Sequence, residues 1–432
     1  MHATHIPAEP PRKTLPRPSG ARWALLSLPA LAGVGVLLFT VLGSEPERIW
    51  PALLFNWLFW SSLAMGMVVF AAALHMSSAT WAWSLRRVAL GAVAFLPISF
   101  VALIVVFFGS EHYFHHWLPV LAGEVHDPVI ERKAAWLNLP GLITRDLLLV
   151  AILYGVALAF GYFSLRPDLP DEGRPGLHGW LARGWRGAGA EAARCRRVVD
   201  YLAPVLTILF AVVLGIIAID LAMSLEPHWF STMFPVAFFV AAFQGGIAAS
   251  AIAVTALRPS AGLEPYFGPR QYHDLGKLVF AFSVFWMYIN WSQYIVIWYG
   301  LLEWEQAWMV ARLSEPYRVL VGAVVIFVFV LPFAGLLTRP PKKAPVVLAC
   351  FSAVILLGHW LERFLLVMPS LWEGEGLPLG LPEIGVGAGF GGLFLLSYVW
   401  FVSTFPLLPS SATLAAWELE TELPRQGVAS GQ

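Results

Sequence analysis

Ten apolar runs, each long enough to cross a bilayer, constrain this chain more than any other feature. They fall at 23–42, 53–78, 88–108, 147–165, 199–222, 234–257, 276–300, 319–338, 346–368 and 384–405. A spanning helix needs about 20 mostly apolar residues, whereas a barrel strand needs only about ten. In hydrocarbon every backbone polar group must be satisfied internally, so runs of this length are helices. The expected fold is an all-α integral membrane protein with ten transmembrane helices. The 432 residues are 58% hydrophobic and only 12% charged, where a soluble domain is about a quarter charged.

The loops set the direction. Of the 27 Lys and Arg, 19 lie in the two terminal tails and the even-numbered connections. Six lie in the odd-numbered connections, and Lys277 and Arg363 fall inside spans. The positive-inside rule then puts both termini in the cytoplasm. Residues 1–22 read as a disordered, basic, Pro-rich cytoplasmic tail and 23–405 as the membrane domain. Residues 406–432 read as a cytoplasmic C-terminal tail. The first run is long for a signal-peptide core and reads as a retained helix. The longest inner loop, 166–198, contains "GWLARGWRGAGAEAARCRR", which suits either a solvated linker or a stretch lying on the lipid surface.

An internal echo exists. The second and sixth spans run the same way and carry glycine near mid-span, Gly66 in one and Gly245 with Gly246 in the other. Spans 2–5 and 6–9 then form two parallel four-helix bundles flanked by spans 1 and 10. Glycine in membrane helices also serves close packing.

The cysteines exclude some chemistry. Cys195 and Cys350 are the only two, with no CxxC and no CxxCH. Iron–sulfur ligation and covalent haem attachment by this chain are excluded. His75 and His359 sit near opposite faces and cannot share one haem iron. His112, His115, His116 and His126 lack the spacing of a closed zinc site. The formal net charge of zero gives no sign of a nucleic-acid partner.

Polar groups inside the spans carry the functional signal, because each is costly in hydrocarbon. They are His75, Asp220, Gln244, Lys277, Asn290, Gln293, His359, Glu362 and Arg363. His359 and Glu362 share a helix face at i, i+3. Asp220 lies at similar depth and is expected to face a bundle interior, to pair with Arg363 or to exchange protons with water or Glu362. A short Asp cannot snorkel, whereas Lys277 and the Glu362–Arg363 pair also read as snorkelling groups, and His75 also reads as a carbonyl-bonded histidine. A column from His75 and Lys277 through Gln244 and Asn290 to Asp220, His359, Glu362 and Arg363 is what a proton relay needs.

Several stretches are specific: "DLAMSLEPHWFSTMFPVAFF" (220–239), "HDLGKLVFAFSVFWMYINWSQYIVIWYG" (273–300), "ERKAAWLNLPGLITRD" (131–146), "EHYFHHW" (111–117), "PFAGLLTRPPKK" (332–343) and "FNWLFWSSLAMGMVVFAAALHMSSATWAWSLRR" (55–87). Over about residues 20–410 the chain resembles the NrfD-type (polysulfide-reductase membrane-subunit) family. Within it the chain is most similar to the ActF-type subunits of alternative complex III, a bacterial quinol:cytochrome c (or cupredoxin) oxidoreductase. The resemblance implies a multi-pass protein of the bacterial inner membrane and the same two-bundle fold. It implies no redox cofactor in this chain, with menaquinol or ubiquinol, iron–sulfur clusters and haem c belonging to partner subunits. Those partners are a sister NrfD-like subunit (ActC), a periplasmic iron–sulfur subunit, multihaem cytochrome c subunits and lipids, with a terminal oxidase as a further partner. It implies a proton-conducting and scaffolding role, with Asp220 as the acid of the fifth helix and His75, Lys277, Glu362 and Arg363 at candidate relay positions. Two readings compete with this one. In the first the chain itself binds quinol, near Asp220 or His75. In the second it is a stand-alone secondary transporter, for which a broken helix at Gly245–Gly246 is the one candidate sign.

Overall fold

The computed structural model describes residues 14–43, 46–169, 177–372, 374 and 376–416. Most of the 1–22 tail and of the 406–432 tail lies outside them. The described residues are helical and contain no strand. Ten long helical segments match the ten runs in order: α1 Gly20–Val41, α2 Ile49–Met76, α3 Arg86–Phe107, α4 Leu139–Leu165, α5 Ala188–Leu221, α6 Phe234–Ser260, α7 Pro269–Gly300, α8 Arg318–Gly335, α9 Pro345–Leu371 and α10 Leu381–Thr404.

Nine of these are both long and apolar enough to cross a membrane among the described residues. The tenth, α7, has 32 residues and ample length. Its Trp, Tyr, Asn and Gln content, in "FWMYINWSQY", leaves it less apolar than the rest. This is a multi-pass membrane protein. Local chemistry sets the helix starts. α4, α6, α7, α9 and α10 each open with proline in the first turn, where no backbone donor is lost. Asn138 caps α4 by accepting from the Gly141 N–H at 2.8 Å. α8 contains a π turn at Ile326–Val330, directly ahead of Pro332, whose missing N–H frees the Val328 carbonyl.

The first and last described residues lie at one end of the molecule, where the Leu15 N–H bonds the Val402 carbonyl at 2.9 Å. We call this the termini end and the opposite one the far end. α2, α3, α4 and α5 form one bundle and α6, α7, α8 and α9 the other. The two meet where α2 crosses α6. A Cβ built on Gly246 lies 2.1 Å from the Gly66 carbonyl carbon, and one on Gly66 lies 2.1 Å from the Ala242 carbonyl oxygen. Backbone touches backbone, and only glycine fits. α6 runs unbroken through this point, so the glycine pair is a packing device and not a helix break.

α1 and α10 flank the bundles as a pair on one side. They pack on each other through Gly33 and Gly389 and lie together against α2 and α3. Arg48 fixes the far end of this pair by a two-pronged ion pair to buried Glu383 at 2.7 and 2.9 Å.

Two loop expectations change. Residues 188–198 of the long inner loop are the first turns of α5, not linker or lipid-surface helix, because Glu191 is buried against Arg166 at 2.8 Å. Residues 406–416 pack onto the helices as a strap. Leu407, Leu408 and Leu414 are buried, and Asp168 accepts from Ser410 N and Thr413 Oγ1, each at 3.0 Å.

The crossing gives the first prediction. Gly246→Ala forces backbones apart and should cost about 1–3 kcal/mol, seen as a lower thermal unfolding midpoint in detergent. Gly35→Ala, where nothing lies within 4 Å, should leave the midpoint unchanged.

Candidate functional site

The buried charges form two far-end clusters, one in each bundle, and a third group at the termini end. In the first bundle, Asp220 sits one residue from the end of α5 and is fully buried. Its Oδ1 accepts from Trp136 Nε1 at 2.8 Å and its Oδ2 from Arg145 Nε at 2.8 Å. The Arg145 guanidinium also lies over the Trp136 ring, 4.0 Å from its centroid. Asp146, also fully buried, lies carboxyl to carboxyl against Asp220, and no donor from another residue type reaches either of its oxygens. One guanidinium thus serves two carboxyls, the charge count of a site that can take up and release a proton.

A cavity of about 390 Å³ adjoins this cluster, bordered by Lys133, Trp136, Ile219, Met223 and Ser224. Lys133 donates to the Pro227 carbonyl at 2.6 Å. Burial holds its ammonium below the ordinary lysine value, with Asp127 acting against it.

In the second bundle, Glu362 on α9 accepts from Trp286 Nε1 on α7 at 3.0 Å and pairs with His359 Nδ1 at 2.8 Å. Arg363 donates from Nη2 to the Phe238 carbonyl at 3.0 Å, and its guanidinium stacks 3.7 Å from the Phe238 ring centroid. Its Nη1 is 3.9 Å from Glu362, an ion-pair distance too long for a hydrogen bond. His359 Nε2 is buried without a partner. Gln244 donates to Ser283 Oγ at 3.0 Å and leaves its own carbonyl oxygen unmet. Asn290 donates to the Trp286 carbonyl at 2.9 Å, and with Gln293 it lines a cavity of about 580 Å³ that reaches Glu362.

At the termini end, His75 Nε2 pairs with Asp200 at 2.6 Å, and Arg86 contacts its other ring nitrogen. Lys277 is more than half exposed and pairs with Asp274 at 2.6 Å, one turn away. That is the snorkelling arrangement.

Two expectations are corrected by this geometry. Asp220 does not pair with Arg363. Its cation is Arg145, because α5 packs on α4 whereas Arg363 points from α9 into α6. The polar residues also do not form a single column. His75 and Asp220 belong to the first bundle, and Gln244, Lys277, Asn290, His359, Glu362 and Arg363 to the second. No hydrogen bond or ion pair among the described residues joins Asp220 to Glu362. Arg145 and Asp146 are further site residues that the hydropathy of the chain places in the loop before the fourth run. α4 in fact starts at Leu139. The signal was the adjacent "RD" directly ahead of an apolar run, at the same end as Asp220.

Among the described residues no group of three or more His, Cys, Asp or Glu side chains could hold a metal ion. His126 and His228 instead pair with Glu131 and Asp127 at 2.6 and 2.7 Å.

The family model described as Polysulphide reductase, NrfD matches residues 134–373, more than half of the chain. The chain belongs to the NrfD family. Its members are typically membrane subunits that work with other redox subunits in respiratory complexes. The matched region opens just before Arg145 and closes just after α9, so it takes in the far-end clusters of both bundles. No curated protein matches the chain.

Removing the shared cation of an NrfD-type first bundle is a direct test. Arg145→Gln leaves two buried carboxyls uncompensated and should destabilise by about 3–5 kcal/mol. Adding Asp220→Asn should recover part of that loss, giving a non-additive double-mutant cycle in thermal unfolding.

Proposed function

We propose that this chain is an ActF-type membrane subunit of a respiratory quinol:cytochrome c (or cupredoxin) oxidoreductase of the alternative complex III class. It resides in the bacterial cytoplasmic membrane with both termini inside. Its task is to move protons and to brace the complex. Quinol oxidation, iron–sulfur clusters and haem c belong to its partners: an ActC-type sister subunit, a periplasmic iron–sulfur protein and multihaem cytochromes c, with a terminal oxidase downstream.

One observation carries this reading, the Arg145–Asp146–Asp220 cluster. With one proton on the carboxyl pair the cluster is neutral; without it, one negative charge is uncompensated. Such a site responds to a change of charge nearby by binding or releasing a proton. Trp136 and Arg145 hold Asp220 by both oxygens, which leaves the Asp146 oxygens free of fixed donors and suited to carry the proton. In the second bundle His359, with one ring nitrogen on Glu362 and the other unpartnered, has the geometry of a proton carrier. At the termini end His75 and Asp200 offer the matching entry point.

A second reading, that the chain itself binds quinol, rests on the cavity beside Trp136. A quinone co-purifying with the isolated chain would favour it. The transporter reading finds no support in α6, which is continuous at Gly245–Gly246.

The test uses the tagged protein, gently solubilised from its native membrane. A reduced-minus-oxidised spectrum should show haem c, which this chain has no CxxCH to bind covalently. Asp220→Asn in that complex should lower the protons moved per electron while quinol oxidation continues. Unchanged proton stoichiometry, or a preparation free of haem, contradicts the proposal.

A further inference from the structure

The 580 Å³ cavity of the second bundle lies within the size range of small-molecule sites. Its walls come from α6, α7, α8, α9 and the short helix Glu303–Leu313. Trp291 and Trp298 border it and are each 53% exposed, so the cavity communicates with the lipid-facing surface. Most of the lining is aromatic or aliphatic, the chemistry that accepts a hydrocarbon chain.

The charged lining does not balance. Arg312 and Arg363 face a single carboxylate, Glu362. Arg312 is buried and spends its donors on neutral acceptors: the carbonyls of Trp308, Leu365 and Leu366, and Ser370 Oγ. Among the described residues no carboxylate lies within ion-pair distance of it. Burial pushes its guanidinium down to about 9, with Glu226 opposing. Arg363 is 2% exposed, its Nε has no partner, and its Nη1 has only the 3.9 Å approach to Glu362. Glu226 acts on Arg312 from beyond ion-pair distance and Glu362 approaches Arg363 only at 3.9 Å, so neither guanidinium has a hydrogen-bonded carboxylate and an oxyanion in the cavity would supply one.

We propose that this cavity holds a resident anionic amphiphile, with its hydrocarbon chain among the aromatic walls and its oxyanion headgroup compensating Arg312 and Arg363. The headgroup is a phosphodiester or a carboxylate, supplied by a phospholipid or by a free fatty acid. Such an occupant also keeps bulk water from Glu362. The proposal is independent of proton handling, because it concerns what fills the space and not what titrates beside it.

The experiment is native mass spectrometry of the intact complex in neutral detergent, comparing wild type with Val325→Trp and Arg363→Gln. Val325 lines the cavity at a partly exposed position on α8, so a tryptophan there fills the space without entering a tight core. One oxyanion-headed amphiphile should be retained by the wild type and bound about tenfold more weakly by each variant, a loss of about 1.4 kcal/mol. Add-back of phosphatidylglycerol or of oleate to delipidated complex separates the two sources. Occupancy unchanged in either variant, or an occupant that is a neutral quinone or a zwitterionic lipid, overturns the proposal.

Discussion

The crossing of α2 over α6 is the contact on which the rest of the molecule depends. Lipid tails are as apolar as leucine, so hydrophobicity does not hold one membrane helix to another. Close packing and polar bonds must do so. Gly66 and Gly246 bring the two backbones together without intervening side chains. The crossing joins two bundles that would otherwise be separate four-helix units. It places α5 beside α6 and α9 beside α2, and so brings the two bundles that carry the far-end clusters side by side.

Within that frame the polar groups follow one rule: each buried charge has a neighbour from another helix. Arg87 reaches Asp168 and the carbonyls of Pro406 and Leu408. Arg166 holds Glu191, and Arg48 holds Glu383. These pairs lie toward the ends of the helices and act as ties between elements. The far-end clusters differ because their donors and acceptors do not balance. Asp146 lacks donors, His359 Nε2 lacks a partner, and Arg363 has spare N–H groups. An unmet buried group costs about 1–3 kcal/mol or more. Glu191 Oε1 and Arg258 Nε are also unmet, but only the far-end clusters combine unmet acceptors and donors with an adjoining cavity.

Much of this was legible in the sequence. Ten runs correspond to ten helices in order, the glycine echo pointed to two like bundles though not to the contact of α2 with α6, and Asp220 stood out because a short acid in an oily helix cannot reach water. The i, i+3 spacing of His359 and Glu362 foretold their pairing. What the sequence hid was lateral placement. Depth along a helix can be counted, but which bundle a residue faces depends on packing between helices. Asp220 and Glu362 therefore looked like neighbours and are not. Arg145 and Asp146 were concealed by their own charge, since an apolar window stops where charges begin. α4 starts earlier and buries Asp146. α7 shows the converse: length identifies it as a span, although its Trp, Tyr and amide side chains lower its hydropathy.

The central claim is that carboxyls within the first bundle exchange protons as the complex turns over. Redox-triggered infrared difference spectroscopy on the intact complex tests it most directly, because the C=O stretch of a protonated carboxyl is separate from that of a carboxylate. The account predicts a carboxyl band that appears with turnover and is lost in Asp146→Asn or Asp220→Asn. A difference spectrum with no such band, or one that both variants leave unchanged, would contradict it.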